Sequence, residues 1–276
     1  MSVTAKNTYT PIKLWLYALV GMVLLMVLIG GVTRLTDSGL SMTNWKPITG
    51  IIPPMNDSEW LKEFSEYKKF PEFKKINFEM KLDEFKRIYF WEYFHRLFGR
   101  LIGLVFLIPF VVFLLKKEID KKLFKKLIIG FILGGLQGLM GWYMVKSGLV
   151  DRPDVSHFRL AAHLSLAFLI ISYLYWLSLE LAHPNRVYVT YKSGQKLGIF
   201  ALLLLITQIV LGAFVAGLDA GLTHNTFPKM GREWIPAELY EIPFVEWFDS
   251  MLSLQFLHRS FGWALLAMAA IIAIKR

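Results

Sequence analysis

Long apolar runs dominate the pattern of hydrophobic and polar positions in this chain of 276 residues. A run of about 20 apolar residues spans the hydrocarbon core of a bilayer as an α-helix. We predict six such helices, called spans one to six: Leu14–Val32, Trp91–Leu115, Phe124–Val145, Leu160–Ala182, Leu197–Gly217 and Met251–Ile274. The composition, 55% hydrophobic and 15% aromatic, agrees with this interpretation. The expected fold class is an all-α, polytopic membrane helical bundle.

The basic residues that give the chain its net charge of +10 are concentrated in some of the connectors between spans, a pattern expected of a membrane protein. Six lysines lie within residues 116–126, after span two. Arg186, Lys192 and Lys196 precede span five, and Lys275 and Arg276 follow span six. Because basic residues are enriched in cytoplasmic connectors, we expect a cytoplasmic N-terminus, with the long segments after spans one and five outside. No nucleic-acid-binding module accompanies the basic residues, so we expect no nucleic-acid partner.

Two motifs occur twice in the chain and predict an internal repeat. H-R-x-F-G begins at His95 and at His258, and D-x-G-L followed by a hydroxyl residue begins at Asp37 and Asp219. We predict two tandem four-helix units: residues 1–183, with a long outer loop 36–88, and residues 184–276. The second unit has two spans, and the counterpart of His163 would fall beyond the last residue. We therefore expect a truncated eight-helix design in preference to a natural six-helix form.

Part of the first outer loop has its aromatic residues at helical spacing. Trp60, Phe64, Tyr67 and Phe70 recur among lysines and glutamates in Asp57–Lys75. We predict a short amphipathic helix there, bracketed by the helix breakers Pro53-Pro54 and Pro71, and lying on the outer membrane surface or capping a site below it.

Three of the six histidines lie inside spans, at a similar depth near the outer surface: His95, His163 and His258. Equal depth on three helices favours axial haem ligands over a proton path, which would be staggered across the bilayer. The chain has no cysteine, so thiolate ligation is excluded. The alternative is that each histidine hydrogen-bonds between helices. The other three, His157, His183 and His224, are expected to be interfacial polar residues.

Arginines near these histidines are candidates for pairing with haem propionates. Arg159 lies four residues before His163, on the same helical face and nearer the outer surface. Arg96 and Arg259 directly follow histidines, so they face sideways. They are weaker candidates, and lipid phosphate or a neighbouring helix is an alternative partner.

One difference separates the two H-R-x-F-G sites. Glu92 lies three residues before His95, and Gln255 lies three residues before His258. A carboxylate beside a haem can exchange a proton, whereas an amide can make only hydrogen bonds. We hypothesise proton-coupled chemistry at the first site and electron transfer at the second. The alternative is that Glu92 only orients His95 or an arginine.

These motifs resemble the haem A synthase family over nearly the whole chain. The resemblance lies in residues 30–41 (GGVTRLTDSGLS), 45–48 (WKPI), 53–54 (PP), 89–96 (YFWEYFHR), 159–164 (RLAAHL), 225–228 (NTFP) and 255–259 (QFLHR).

The resemblance implies oxidation of a ring methyl of haem O to a formyl group, giving haem A for cytochrome oxidase. By this resemblance, His95 and His163 are axial ligands of the substrate haem, and Glu92 is catalytic. His258 would bind a haem b cofactor, with its partner ligand absent from this chain. Haem O synthase is the implied partner, and the bacterial inner membrane, with haem sites near the periplasmic face, is the implied location.

Two features depart from the family pattern, beyond the missing helices. The outer-loop cysteine pair of some members is absent, and residues 229–232 read Lys-Met-Gly-Arg. Two rival functions stay open from sequence. A bis-histidine b-type membrane cytochrome would carry electrons only, and a transporter would have no chromophore.

Overall fold

The computed structural model describes residues 9–45, 49–150, 153–183 and 192–274, and contains no strand within these ranges. It contains eight α-helices: α1 (Thr10–Leu35), α2 (Asp57–Tyr67), α3 (Pro71–Lys75), α4 (Leu82–Leu115), α5 (Lys121–Gly148), α6 (His157–Ala182), α7 (Lys192–Gly217) and α8 (Met251–Ile274). Six of them, α1 and α4 to α8, are long and apolar enough to cross a membrane. The predicted polytopic helical bundle is confirmed.

The helix bounds differ most from the predicted spans at the start of α4. This helix begins nine residues before the predicted Trp91, because its first turn is capped: the Lys81 amide donates to the Glu84 carboxylate at 2.8 Å. The first turns contain several charged residues, so a prediction based on apolar runs did not include them. Residues 46–48 of the family motif and the basic residues Arg186, Lys275 and Arg276 lie outside the described residues.

Two compact units make up the chain. The first contains Met1–Val155 and Leu166–Arg186, and the second contains Ser156–Ser165 and Val187–Arg276. The predicted division at residue 183 and the four-helix repeat stay predictions. In each unit, we call the end that carries the long connecting segment, 36–81 or 218–250, the loop end.

The core of the first unit is formed by α1, α4, α5 and the later turns of α6. Trp15 is central to it, because its indole N–H donates to the Val105 carbonyl at 2.7 Å and its ring packs against Phe106. Fully buried aliphatic residues complete the core: Ile12, Leu16, Leu19, Leu127 and Leu177. Many apolar side chains of the spanning helices are exposed, as expected for surfaces that contact lipid.

At the loop end of the first unit, α2 and α3 pack on the first turns of α4 and form what we call the aromatic lobe (residues 57–89). Phe64 and Tyr67 are buried against Phe85. A helix over 57–67 forms as predicted and ends before the predicted breaker Pro71, whereas the second helix, α3, was not predicted. Phe70 is extended because it precedes Pro71, and Pro71 then starts a new helix.

A buried carboxylate lies inside the aromatic lobe. Glu72 accepts a hydrogen bond from the Tyr67 hydroxyl at 2.8 Å, and Asn77 donates to the same hydroxyl at 2.9 Å. Burial raises the pKa of Glu72 to about 8, an effect that the Tyr67 hydrogen bond opposes. The lobe therefore favours a protonated Glu72.

The second unit packs α7 and α8 with the first turns of α6. Its core includes Ala161, Leu211, Phe214 and Leu254. His157, predicted to be interfacial, is only 2% exposed, and its Nε2 lies 3.0 Å from the Phe248 carbonyl. Gly217 permits this packing, because a Cβ there would lie 2.5 Å from the His157 Cβ.

Candidate functional site

His95 lies on α4 against the glycine of α1 that faces it. A Cβ at Gly30 would lie 3.3 Å from Nε2 of His95, tighter than an ordinary contact. The absence of a side chain at Gly30 therefore sets how closely the imidazole approaches α1. This contact explains why a glycine is useful in the middle of a spanning helix, where it otherwise weakens helix stability.

Glu92, one turn before His95, is held by three donors. Its carboxylate is 3% exposed, and Oε2 accepts from the Ser41 hydroxyl at 2.7 Å and from the Met42 amide at 2.6 Å. Oε1 accepts from the Arg96 guanidinium at 2.5 Å. A buried carboxylate surrounded by a cation and two neutral donors is arranged to carry a negative charge.

Arg96 also binds the backbone of the segment that follows α1. We call residues 38–44 the first strap. The Arg96 guanidinium donates to the carbonyls of Met42 at 3.0 Å and Asn44 at 3.3 Å. Together, Glu92 and Arg96 fasten the first strap to α4 at both its N–H and its carbonyl groups.

The second unit fastens its own strap through the corresponding positions. We call residues 220–229 the second strap. Arg259 donates to the carbonyls of His224 at 2.9 Å and Thr226 at 2.8 Å. Gln255, 6% exposed, donates to the Thr223 carbonyl at 3.1 Å. The arginines act alike, but the carboxylate accepts from its strap whereas the amide donates to its strap.

An aspartate in the left-handed region directly precedes each strap. Asp37 has φ 47° and Asp219 has φ 53°. Aspartate tolerates this conformation better than most residues with a Cβ. The repeated D-x-G-L motif therefore turns the chain from the end of a spanning helix into the strap.

His258 repeats the glycine contact of His95 in the second unit. A Cβ at Gly212 of α7 would lie 3.1 Å from Cε1 of His258. One turn earlier on α7, Nε2 of Gln208 lies 3.5 Å from Nε2 of His258. Nδ1 of His258 is buried and has no hydrogen-bond partner among the described residues.

The residues present fit a haem better than a free metal ion. Within the described ranges, no group of three or more His, Asp or Glu side chains is placed to hold a metal ion. A haem needs only axial ligands from the protein, and an imidazole on a spanning helix, such as that of His258, is a side chain that can supply one.

The remaining predicted site residues lie on α6. Arg159 and His163 are both half-buried, with Arg159 one turn before His163. His95 belongs to the first unit and His163 to the second, and each unit is described by itself. Their pairing around one haem stays a prediction, as do the propionate roles of Arg159, Arg96 and Arg259.

Sequence reasoning missed several residues of the two sites. Ser41 and the Met42 amide were not expected to bind Glu92, nor Gly30 and Gly212 to contact histidines. The repeated D-x-G-L motif was the available signal for Ser41, because it placed a hydroxyl residue at a fixed position after the helix end.

Comparison with known proteins agrees with this description. A family model described as cytochrome oxidase assembly protein matches residues 13–276. The haem A synthase of Pelagibacter ubique is 45% identical over 268 residues, which cover 96% of this chain and 79% of that relative. The haem A synthase of Nitrosospira multiformis is 47% identical over 270 residues, covering 96% and 76%.

A third relative extends the match. The haem A synthase of Flavobacterium johnsoniae is 45% identical over 280 residues, covering 98% of this chain and 81% of that relative. No solved structure matches the chain. The resemblance to haem A synthases is confirmed, and the chain belongs to the family of cytochrome oxidase assembly proteins.

Proposed function

We propose that this protein is a haem A synthase, an oxidoreductase that converts haem O to haem A by oxidising one ring methyl to a formyl group. In the net change, the methyl carbon gains one oxygen atom and loses two hydrogen atoms, a four-electron oxidation that requires an external oxidant. The names of relatives that match nearly the whole chain support this function. The single observation that carries it within the molecule is the carboxylate held beside His95.

The two straps support unequal roles for the two sites. Their arginines bind equivalent strap carbonyls, so both units have the hydrogen bonds that hold the strap to its helix. Only the first unit adds an ionisable group, Glu92, one turn from its histidine. We assign proton exchange to Oε1 of Glu92, because Oε2 already accepts two hydrogen bonds and Oε1 accepts one. Arg96 would release Oε1 when the proton is taken.

The haem assignments follow the family resemblance. His95 and His163 would be the axial ligands of the substrate haem O. His258 would hold a haem b, which supplies electron transfer when bound. His258 lies on a spanning helix, where binding an iron would account for a polar side chain in the membrane.

The location follows from the charge pattern. Lysines concentrated between α4 and α5 support a cytoplasmic position for that connector. The N-terminus would then be cytoplasmic, and both straps and their histidines would lie near the periplasmic face of a bacterial inner membrane. Haem O synthase would be the partner that delivers the substrate.

Replacement of Glu92 tests the proposal. Glu92→Gln keeps the size of the side chain, and its amide oxygen can still accept from Ser41 and the Met42 amide, but it loses the exchangeable proton and the ion pair with Arg96. We expect normal haem content with haem A formation reduced at least about 100-fold, the scale of general acid–base catalysis. Glu79→Gln, at an exposed carboxylate of the aromatic lobe, is the matched control. Unchanged haem A formation by Glu92→Gln with normal haem content would refute the assignment.

A further inference from the structure

The two straps make matching contacts on either side of one peptide group. Before it, the hydroxyl residue that ends the repeated motif, Ser41 or Thr223, donates to the carbonyl three residues earlier, at 3.1 Å and 2.9 Å. After it, Met42 and His224 each give their carbonyl to the arginine of their unit. We call the peptide group between the hydroxyl residue and its successor the strap peptide.

The strap peptide faces its helix in opposite orientations in the two units. In the first, its N–H, which belongs to Met42, donates to the Glu92 carboxylate at 2.6 Å. In the second, its carbonyl, which belongs to Thr223, accepts from the Gln255 amide at 3.1 Å. The backbone shows the same difference, because His224 lies in the left-handed region at φ 49°, whereas Met42 does not. Rotation of one peptide plane between fixed neighbours has this effect, as in the change from a type I to a type II turn.

The side chain on the spanning helix accounts for the two orientations. A carboxylate only accepts hydrogen bonds, so Glu92 matches an inward N–H, whereas the NH₂ group of Gln255 donates and matches an inward carbonyl. The residue after the strap peptide fits as well, because histidine enters the left-handed region more often than most residues with a Cβ. Met42 has no such tendency. The inward N–H of the first unit therefore suits both Glu92 and Met42.

We propose that the strap peptide is a positioning group whose orientation is selected by the side chain one turn before the histidine, and that in the first unit it decides which oxygen of Glu92 exchanges the proton. The Met42 N–H and the Ser41 hydroxyl both donate to Oε2, at 2.6 Å and 2.7 Å. A hydroxyl can turn away from a proton on Oε2, but a backbone N–H cannot do so unless the strap moves. The proton is therefore directed to Oε1, beside Arg96. This inference deepens the proposed function of Glu92 and rests on it.

Donors on Oε2 also stabilise the anion, so the pH dependence of the reaction reports on them. Charged and titratable groups act on Glu92 from its own helix, through Arg96 and Tyr89, and from the aromatic lobe, through Tyr67 and Glu72. Removal of a strap donor leaves these groups in place. It makes proton binding to Glu92 stronger, because the anion loses a hydrogen bond that the acid does not need.

Replacement of Gln255 in the purified full-length protein tests whether the side chain selects the orientation, and it needs neither haem nor turnover. In Gln255→Glu we expect the strap peptide to turn its N–H inward and φ of His224 to become negative in a determined structure. Amide hydrogen exchange at residue 224 should slow about tenfold or more, the effect of one charge-assisted hydrogen bond. Gln255→Met is the matched control, because a thioether is only a weak acceptor, and its strap peptide should keep the N–H outward. If Gln255→Glu does not fold, Gln255→Glu with His224→Met, which copies both residues of the first unit, decides the question.

Removal of the other strap donor tests the role in the reaction. Ser41→Ala leaves Oε2 with one donor, so Glu92 keeps its proton to a higher pH. We expect the pH profile of haem A formation to move about one unit upward. Ser41→Thr keeps the hydroxyl, as Thr223 does in the second unit, and should restore the profile. Ser65→Ala, at an exposed serine of α2 that donates to the Lys62 carbonyl of its own helix, is the control.

The outcomes separate this inference from the function it rests on. An unrotated strap peptide in Gln255→Glu, or the same rotation in Gln255→Met, would overturn selection by the side chain. An unshifted pH profile in Ser41→Ala, from protein that makes haem A, would overturn the role of the strap donors. Absence of haem A from the unmodified, haem-loaded protein would overturn the proposed function, while rotation in Gln255→Glu would still support selection by the side chain.

Discussion

Removal of the Arg96 guanidinium should destabilise the protein more than removal of its counterpart Arg259. Both arginines bind two equivalent strap carbonyls, and Arg259 also donates to the Lys229 carbonyl at 3.3 Å, so Arg259→Leu loses at least as many strap hydrogen bonds as Arg96→Leu. Only Arg96 also neutralises a buried carboxylate, because Glu92 is 3% exposed and pairs with it at 2.5 Å. The difference between the two variants therefore measures the cost of leaving Glu92 charged without its partner.

The structure sets the size of each effect. Removing one partner of a buried ion pair costs about 3–5 kcal/mol. Ser41 and the Met42 amide still bind Glu92, so we expect about 3 kcal/mol for Arg96→Leu. Arg259→Leu should cost about 1–2 kcal/mol, because the freed carbonyls of the second strap are accessible to water. For a chain of this size, about 1 kcal/mol corresponds to a shift in Tm of roughly 2–4 °C.

Thermal unfolding in detergent provides the assay, with a double-mutant cycle as its internal control. Adding Glu92→Gln to Arg96→Leu removes the uncompensated charge and should restore about 1–2 kcal/mol. Adding Gln255→Ala to Arg259→Leu should restore nothing, because the amide carries no charge. Equal destabilisation by the two arginine variants, or no restoration by Glu92→Gln, would refute the claim that Glu92 is held as a buried anion.

Two further predictions concern the aromatic lobe and the second site. The pKa of Glu72 is about 8 in the folded protein, against 4.5 for the unburied side chain. The lobe should therefore be most stable below about pH 4.5, and its free energy of unfolding should fall by about 4–5 kcal/mol as the pH rises to 8. Hydrogen exchange over residues 57–81 should become faster as the pH rises, beyond the intrinsic effect of pH, because the lobe opens more easily. Glu72→Gln should abolish this loss of protection, and an equal loss in the variant would contradict the reasoning. Gly212→Ala should displace the His258 imidazole and alter the haem spectrum, because its Cβ would lie 3.1 Å from the ring. Gly198→Ala on the same helix meets no atom and should leave the spectrum unchanged.

The spanning helices could be predicted from sequence because the bilayer leaves little choice. A run of about 20 apolar residues must satisfy its own backbone hydrogen bonds, and a helix does so within the run. The similar depth of His95, His163 and His258 in the membrane follows from their positions within these apolar runs. Their residue type and the absence of cysteine were then sufficient to suggest haem ligation.

The strap contacts could not be predicted, because they depend on loop backbone geometry. Nothing in the spacing of Ser41 and Glu92, which are 51 residues apart, indicates that the hydroxyl reaches the carboxylate. The contacts at Gly30 and Gly212 likewise depend on how two helices cross. The short helix α3 could not be predicted from Pro71, because a proline ends one helix and is also tolerated in the first turn of the next.

The product of the reaction tests the central claim most directly. The full-length protein would be expressed in a bacterium that makes haem O but lacks its own haem A synthase, and extracted haems would be identified by mass spectrometry. We predict that haem A appears with the unmodified protein and not with His95→Ala. Extracts that contain haem B and haem O but no haem A, from a well-folded and haem-loaded protein, would contradict the account and favour a cytochrome that only carries electrons.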